Sequence, residues 1–487
     1  MSILKVPISN RLWQGTLILA LGYFITGTYV QAQCTTTVGY NVVWGTCSGS
    51  TQGSFAMVDA SQFSGDICAR ILASFEKSYK IGTGAQINYG IVVDARGVNP
   101  GTTQPCGTNP WAVPQNSGYE MPPSSVVLLP SGIIQTSATW TMPGYSRIIG
   151  EGPGATILQA ASGFAGDLID MGDANNYNNN ISFYNCSSNG NAQIVDCPGI
   201  AIEHLGLDGQ SQANNGIVNN SAQELSYVED VAFSNMMGTA LSLLGIINSN
   251  PHGTSNNSGP YSNLSMSNVG ECVNISDNVD TRGIHGLTCT TSGTPAIDVE
   301  GSNNSLEDIS LTGSNGSNTD GILIGNTAAA QNNVLFNISG SGFTRLIHIS
   351  GSSTSQTNCP GKVQGHGPVY NVCDITIMSV TNRSSGQITV EDDVSGTGNK
   401  LTDSHLGVYI LGEPVQSGST SNPNSTFLGN SHFTTSLNWP TWLIGSGPPT
   451  NPCPSVGSLY SVTGSGSGQT LWQCESSSGR LIWAGIE

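Results

Sequence analysis

From His204 onward the chain repeats itself. A short strand-like run opens at Leu205, Val231, Leu264, Leu287, Ile309, Val334, Ile375 and Leu401, at spacings of 26, 33, 23, 22, 25, 41 and 26 residues. Each opening is an inward–outward–inward triplet, as in Leu205-Gly206-Leu207, Val231-Ala232-Phe233, Ile309-Ser310-Leu311 and Ile375-Thr376-Ile377. A second triplet follows in most repeats: Leu241-Ser242-Leu243, Val273-Asn274-Ile275, Ile297-Asp298-Val299, Ile322-Leu323-Ile324, Ile347-His348-Ile349, Ile388-Thr389-Val390 and Val408-Tyr409-Ile410. Two short strands in a turn of about two dozen residues cannot bury a core alone, whereas stacked turns can. A propeller blade needs four strands in a longer period, and leucine-rich repeats carry a fixed Leu/Asn consensus that is absent here. The long step contains Cys359 and Cys373 and reads as a loop inserted between coils.

The column before the first triplet holds His204, Asp230, Asn263, Asp308, Asn333, Asp374 and Lys400. Most are Asp or Asn, as a ladder of turns bonding to backbone requires. The pattern predicts an all-β chain, a right-handed parallel β-helix solenoid with a short N-terminal capping helix and a small C-terminal β module.

The remaining segments divide around that body. Residues 1–32 read as a secretory signal peptide: Lys5 and Arg11 precede an apolar run from Leu17 to Val30, and small residues follow. Residues 33–65 form a loop-rich N-terminal segment and 66–447 the β-helix with its cap. In that cap Ile67, Ile71, Leu72 and Phe75 lie at helical spacing behind Ser64 or Asp66 as N-cap. Residues 448–487 make the C-terminal module, which hides the last open edge of a solenoid. Its Trp472 and Trp483 offer an alternative role as a sugar-stacking platform.

The 12 cysteines fall in local couples, Cys34 with Cys47, Cys68 with Cys106, Cys186 with Cys197, Cys272 with Cys289, Cys359 with Cys373 and Cys453 with Cys474, a spacing that leaves the connectivity open and agrees with an oxidising, extracellular or periplasmic location. With no CxxC and no His beside them, they do not suggest structural zinc. A formal charge of −18, with 13 Lys plus Arg, argues against nucleic acid and against insertion in or attachment to anionic membrane. It also repels an acidic polymer unless Ca²⁺ or a local cation intervenes.

Val126-Val127-Leu128-Leu129-Pro130-Ser131-Gly132, Ile148-Ile149-Gly150-Glu151-Gly152 and Ala155-Thr156-Ile157-Leu158 resemble the opening coils of the pectate-lyase-like superfamily. The resemblance runs from about Asp66 to Val415 and implies the parallel β-helix and an extracellular polysaccharide as partner. Asn318-Thr319-Asp320-Gly321-Ile322 matches a signature of the family 28 glycoside hydrolases, where the Asp belongs to a trio of carboxylates. The rest of that signature fails. Gly342-Phe343-Thr344-Arg345 stands where an Asp-Asp pair belongs, and Gly365-His366-Gly367 and Asp392-Asp393 occur in reversed order.

With the second triplet as a ruler and coils advancing by about 4.8 Å, Asp320 and Arg345 sit two residues before it on neighbouring coils, where a salt bridge is expected. Asp298 and Glu300 point outward one coil earlier, and His348 lies beside Arg345. Three carboxylates, an Arg and a His on one face are the candidate catalytic residues. A lyase needs a base near an Arg or Lys and carboxylates or Ca²⁺ for the enolate; a hydrolase needs an acid and a base suitably spaced. Glu391-Asp392-Asp393 is the run that offers oxygen ligands to Ca²⁺. The leading expectation is a secreted protein that binds, and by lyase or hydrolase chemistry cleaves, an extracellular polysaccharide. The alternative is a non-catalytic structural or adhesive solenoid, in which the same charges only staple coils together.

Overall fold

The computed structural model describes residues 33–39, 42–48, 53–81, 90–112, 125–172, 187–188, 195–219, 222–245, 256–277, 279–293, 295–313, 320–325, 330–350, 372–373, 375–383 and 388–392, with further strands at 409–411, 426–428, 442–445, 459–462, 471–477 and 480–486. The proposed leader, His366, Asp393 and Lys400 lie outside these residues. So do the side chains of Glu391, Asp392, Trp472 and Trp483.

The body is a parallel β-helix built on three ladders. Ladder A begins where Gly53–Asp59 pairs in parallel with Ile91–Asp94, and continues through Ser125–Leu128 and Ser146–Ile149 to Ala201–Asp208. Ladder B starts with Thr102–Cys106, Gly132–Thr136 and Thr156–Ala160 and joins the second half of Ala201–Asp208. From there one bent strand per coil serves both. Ladder C runs through Trp140–Met142, Ile169–Met171, Ile217–Asn219, the ends of Tyr227–Leu243 and Tyr261–Ile275, then Ile297–Val299, Asp320–Ile324, Arg345–Ile349 and Ile388–Asp392.

The stacking predicted from the repeat is observed in register. Leu205, Val231, Leu264, Leu287 and Ile309 pair in succession, and each is at most 2% exposed. A single side chain of this type buried in such a row stabilises by about 1.5–3 kcal/mol, and the row repeats it on every coil. The bend between ladders A and B is made by one residue per coil with positive φ: His204, Asp230, Asn263, Asp308, Asn337 and Ser379 at 53–57°, and Gly286 at 69°. Asn and Asp tolerate this left-handed conformation because their short side chains bond locally, which explains their predominance in the column.

The register departs from the sequence reading after Ile309. Ile309 pairs with Ile338 and Ile338 with Val380, so the triplets at Val334 and Ile375 belong to ladder A instead of opening ladder B. A period-two pattern carries no phase across a corner, and apolar triplets flank the corner on both sides. Accordingly Asn337 and Ser379 occupy the corner column; Asn333 does not, and Asp374 lies outside the described residues. Asn333 is buried and accepts from the Asn304 backbone N–H at 2.8 Å. In ladder C, Val390 pairs with Ile347, two residues beyond the predicted Ile388. Tyr409–Leu411 pairs with Thr376 to Met378 in ladder A, not in ladder C.

The segment read as loop-rich forms three strands, Gln33–Gly39, Val42–Ser48 and Gly53–Asp59, paired antiparallel in sequence order. Their Thr and Val content suits a pleated surface. The helix Ile67–Ile81 begins behind Asp66, whose carboxylate accepts from the Ala69 N–H at 2.8 Å. Cys68–Cys106 ties it to the first strand of ladder B, and Phe75 packs on Trp111 with ring centroids 6.2 Å apart. A second disulfide joins Cys272 to Cys289. The C-terminal strands form a four-stranded sheet, and its first strand, Trp442–Gly445, precedes the boundary expected at residue 448. Among the described residues no helix is long and apolar enough to cross a membrane.

Candidate functional site

The outward positions of ladder C carry the chemistry. Strand alternation sends Ile297 and Val299 into the core and Asp298 outward. On successive coils the same outward column holds Asp170, Val218, Ser242, Asn274, Asp298, Leu323 and His348. Two residues before the inward position the ladder places Glu271 on one coil, Asp320 two coils on, and Arg345 on the next.

Asp320, 7% exposed, is held from two sides. Arg345 donates from Nε to Oδ1 at 2.5 Å and from Nη2 to Oδ2 at 3.0 Å, and His348 Nδ1 lies 3.1 Å from Oδ2. Burial works to raise the pKa of this carboxyl. The bonds from His348 and Arg345 outweigh it and hold Asp320 below the usual carboxylate range. The salt bridge expected from the sequence is therefore present. A carboxylate bonded to Nδ1 also leaves Nε2 as the basic nitrogen of the His348 ring when the proton sits on Nδ1.

Asp298 behaves oppositely. Burial first, and the neighbouring Glu300 second, push its pKa up to about 6, and its buried Oδ1 has no hydrogen-bond partner among the described residues. A buried carboxyl oxygen without a donor favours the protonated form, since the charge is poorly solvated there. Glu300 lies just past the strand end and is itself buried, at 6% exposed.

Glu271 is absent from the sequence reading. Burial raises its pKa to about 7, partly offset by a 2.6 Å bond from Thr239 and reinforced by the charge of Asp298. A signal for it was present, because Glu271 precedes Val273 by the same two residues that separate Asp320 from Ile322 and Arg345 from Ile347. The coil between carries Pro295 at that place, which breaks the pattern.

The structure joins Asp320, Arg345 and His348 by hydrogen bonds and sets Asp298 within reach of the charges of Glu300 and Glu271; along the outward column Leu323 stands between Asp298 and His348. Among the described residues no three His, Cys, Asp or Glu side chains are grouped to hold a metal ion. The acidic run proposed for Ca²⁺ has its side chains outside the described residues.

No protein-family model and no curated protein matches the chain. Solved structures similar to it include the catalytic domain of a GH87 alpha-1,3-glucanase in complex with tetrasaccharides, at 12% identity and a TM-score of 0.34, covering 66% of this chain and 54% of the glucanase domain. The A-module of the Azotobacter vinelandii mannuronan C-5 epimerase AlgE4 matches at 12% identity and a TM-score of 0.30, covering 77% of this chain and 95% of the module. The ORF18 protein of Geobacillus virus E2 matches at 11% identity and a TM-score of 0.29, covering 91% and 72%. The chain thus spans about half the length of the glucanase domain it matches.

Proposed function

We propose that the outer face of ladder C binds an extracellular polysaccharide and processes it by acid–base chemistry. One observation carries this reading. Carboxyls on a single face are driven towards opposite protonation states, Asp298 up to about 6 and Asp320 below its ordinary range. Environments that push neighbouring carboxyls apart in this way separate a proton donor from a charged partner. Asp298 is the donor. His348, oriented by Asp320, is the acceptor, and Arg345 keeps Asp320 ionised. The elongated ladder suits a chain-like ligand, with Ser242 and Asn274 continuing the polar column.

The test is incubation with neutral and acidic polysaccharides, with and without Ca²⁺, following reducing ends, ultraviolet absorbance of unsaturated products, and retention on glycan affinity gels. Absence of turnover and of retention throughout removes the proposal.

A second reading has its own support. Both oxygens of Asp320 are taken by Arg345 and His348, the arrangement expected of a staple between coils in a non-catalytic extracellular scaffold. In that case Asp320→Ala and Arg345→Ala lower stability and alter no activity or glycan binding.

A further inference from the structure

We infer that the corner where ladder C turns into ladder A carries a second glycan site, an exposed platform of Tyr145 and Leu225 backed by Arg147 and Tyr227, which takes an uncharged sugar chain. The inference rests on the glycan reading above and adds to it a non-catalytic site on earlier coils than the acid–base column.

Backbone conformation singles the place out. Tyr145, Gly199 and Leu225 follow one another on successive coils at this corner, where the Tyr145 N–H donates to the Pro198 carbonyl at 2.7 Å and the Gly199 N–H to the Glu224 carbonyl at 2.9 Å. All three have positive φ, at 59°, 70° and 64°. Among the described residues every other non-glycine residue in that conformation is Asn, Asp, His, Gln or Ser. The left-handed region suits glycine and short polar side chains and is costly for bulky ones. Tyr145 and Leu225 are also 47% and 65% exposed, so they bury little apolar surface to offset that cost. Folding alone does not account for them, and backbone strain of this kind clusters at sites that bind ligands.

The surroundings fit a sugar. A Cβ on Gly199 would lie 3.0 Å from Tyr145 Cδ1, so the bare glycine lets the tyrosine ring lie against the middle coil. Two residues along the strands, Ala201 pairs with Arg147 on one side and Tyr227 on the other. Only a glycine and an alanine therefore separate Tyr145 and Arg147 from Leu225 and Tyr227. Glu203, 3% exposed, accepts from Arg147 Nε and Nη2 at 2.5 Å each and from the Tyr227 hydroxyl at 2.6 Å. That buried carboxylate fixes guanidinium and phenol before a ligand arrives, which spares the ordering cost of binding. The Arg147 side chain is 43% exposed, and its N–H groups beyond the two given to Glu203 are donors for hydroxyls. An aromatic ring with an aliphatic neighbour and a few fixed polar groups suits the C–H face and hydroxyl rim of a sugar. Charge selects the class. Glu203 neutralises Arg147, Glu229 pairs with Glu203 on the next coil, and the chain carries −18, so an acidic polymer is repelled where a neutral one is not.

The test is affinity electrophoresis of the intact chain through gels holding neutral polymers (α- and β-glucans, xylan, mannan) or acidic ones (polygalacturonate, alginate), beside Tyr145→Asn and Leu225→Asn. The expected result is retardation of the parent chain by a neutral polymer and by neither acidic one. Each variant should bind that polymer about tenfold more weakly. Its thermal midpoint should be unchanged or higher, because Asn takes the left-handed conformation more readily; a lower midpoint in both variants makes the two side chains structural and overturns the inference. Parent-level affinity in both variants, or retardation by acidic polymers alone, overturns it and leaves the glycan reading standing. Weakened binding in the variants without turnover of any polymer by the parent chain supports it and removes the acid–base reading of ladder C. No retardation and no turnover with any polymer removes both, and self-association of the parent chain that the variants abolish then makes the patch a contact between copies.

Discussion

Asp320 and Arg345 face each other in register on adjacent coils of ladder C, joined by a two-point hydrogen bond of 2.5 and 3.0 Å. Because Asp320 is buried, the pair is sheltered from solvent on one side and His348 closes the other. Removing one member leaves the other poorly solvated. Arg345→Ala should therefore cost about 3 kcal/mol, read as a lower denaturation midpoint in urea at unchanged slope. A change below about 0.5 kcal/mol, the range of an exposed pair, contradicts the buried geometry.

Stability should vary with pH in two opposed ways. Glu271 and Asp298, raised from 4.5 and 3.8 to about 7 and about 6, bind protons more tightly in the folded state. Their contribution weakens as pH rises from about 4 to about 7. Asp320 is lowered from 3.8, so its contribution is present above that value and lost as pH falls through its folded pKa. Thermal midpoints should peak in mildly acidic solution, and Glu271→Gln should flatten the fall on the alkaline side. An unchanged pH profile in that variant would sink the assignment.

The corner column offers a backbone test. Asn263 has φ of 53°, and its neighbour in the column is Gly286. Asn263→Gly should be close to neutral. Asn263→Val, which forces a branched side chain into the left-handed region, should lose about 1–2 kcal/mol. Equal behaviour of the two variants in chemical denaturation rules out the strain argument.

The inner row should respond as a close-packed core. Ile309, 1% exposed between Leu287 and Ile338, has no route to relax, because its neighbours are fixed by backbone pairing above and below. Ile309→Ala should destabilise by about 2–5 kcal/mol, measured by urea unfolding.

Reduction probes the link between coils. Cys272–Cys289 closes a segment with a sequence separation of 17. Replacing both by Ser should cost about 3 kcal/mol, visible as a lower thermal midpoint that added reductant no longer shifts by as much as in the parent chain.

The sequence by itself determined the parallel β-helix, its Asn- and Asp-rich corners, the short helix behind Ser64 or Asp66, and the facing of Asp320 with Arg345. All follow from period-two burial and from one coil advancing one strand spacing, which are properties of local pattern and of repetition. Tertiary structure alone decided which of two apolar triplets near Val334 and Ile375 belongs to which ladder, because alternation has no phase across a bend. It also decided the protonation of the site. Asp298 and Asp320 are the same residue type on adjacent coils, and only burial, the charge of Glu300 and the bonds from His348 and Arg345 drive them apart. Such differences arise from the solvent and partners around a carboxyl, and a linear chain does not record them.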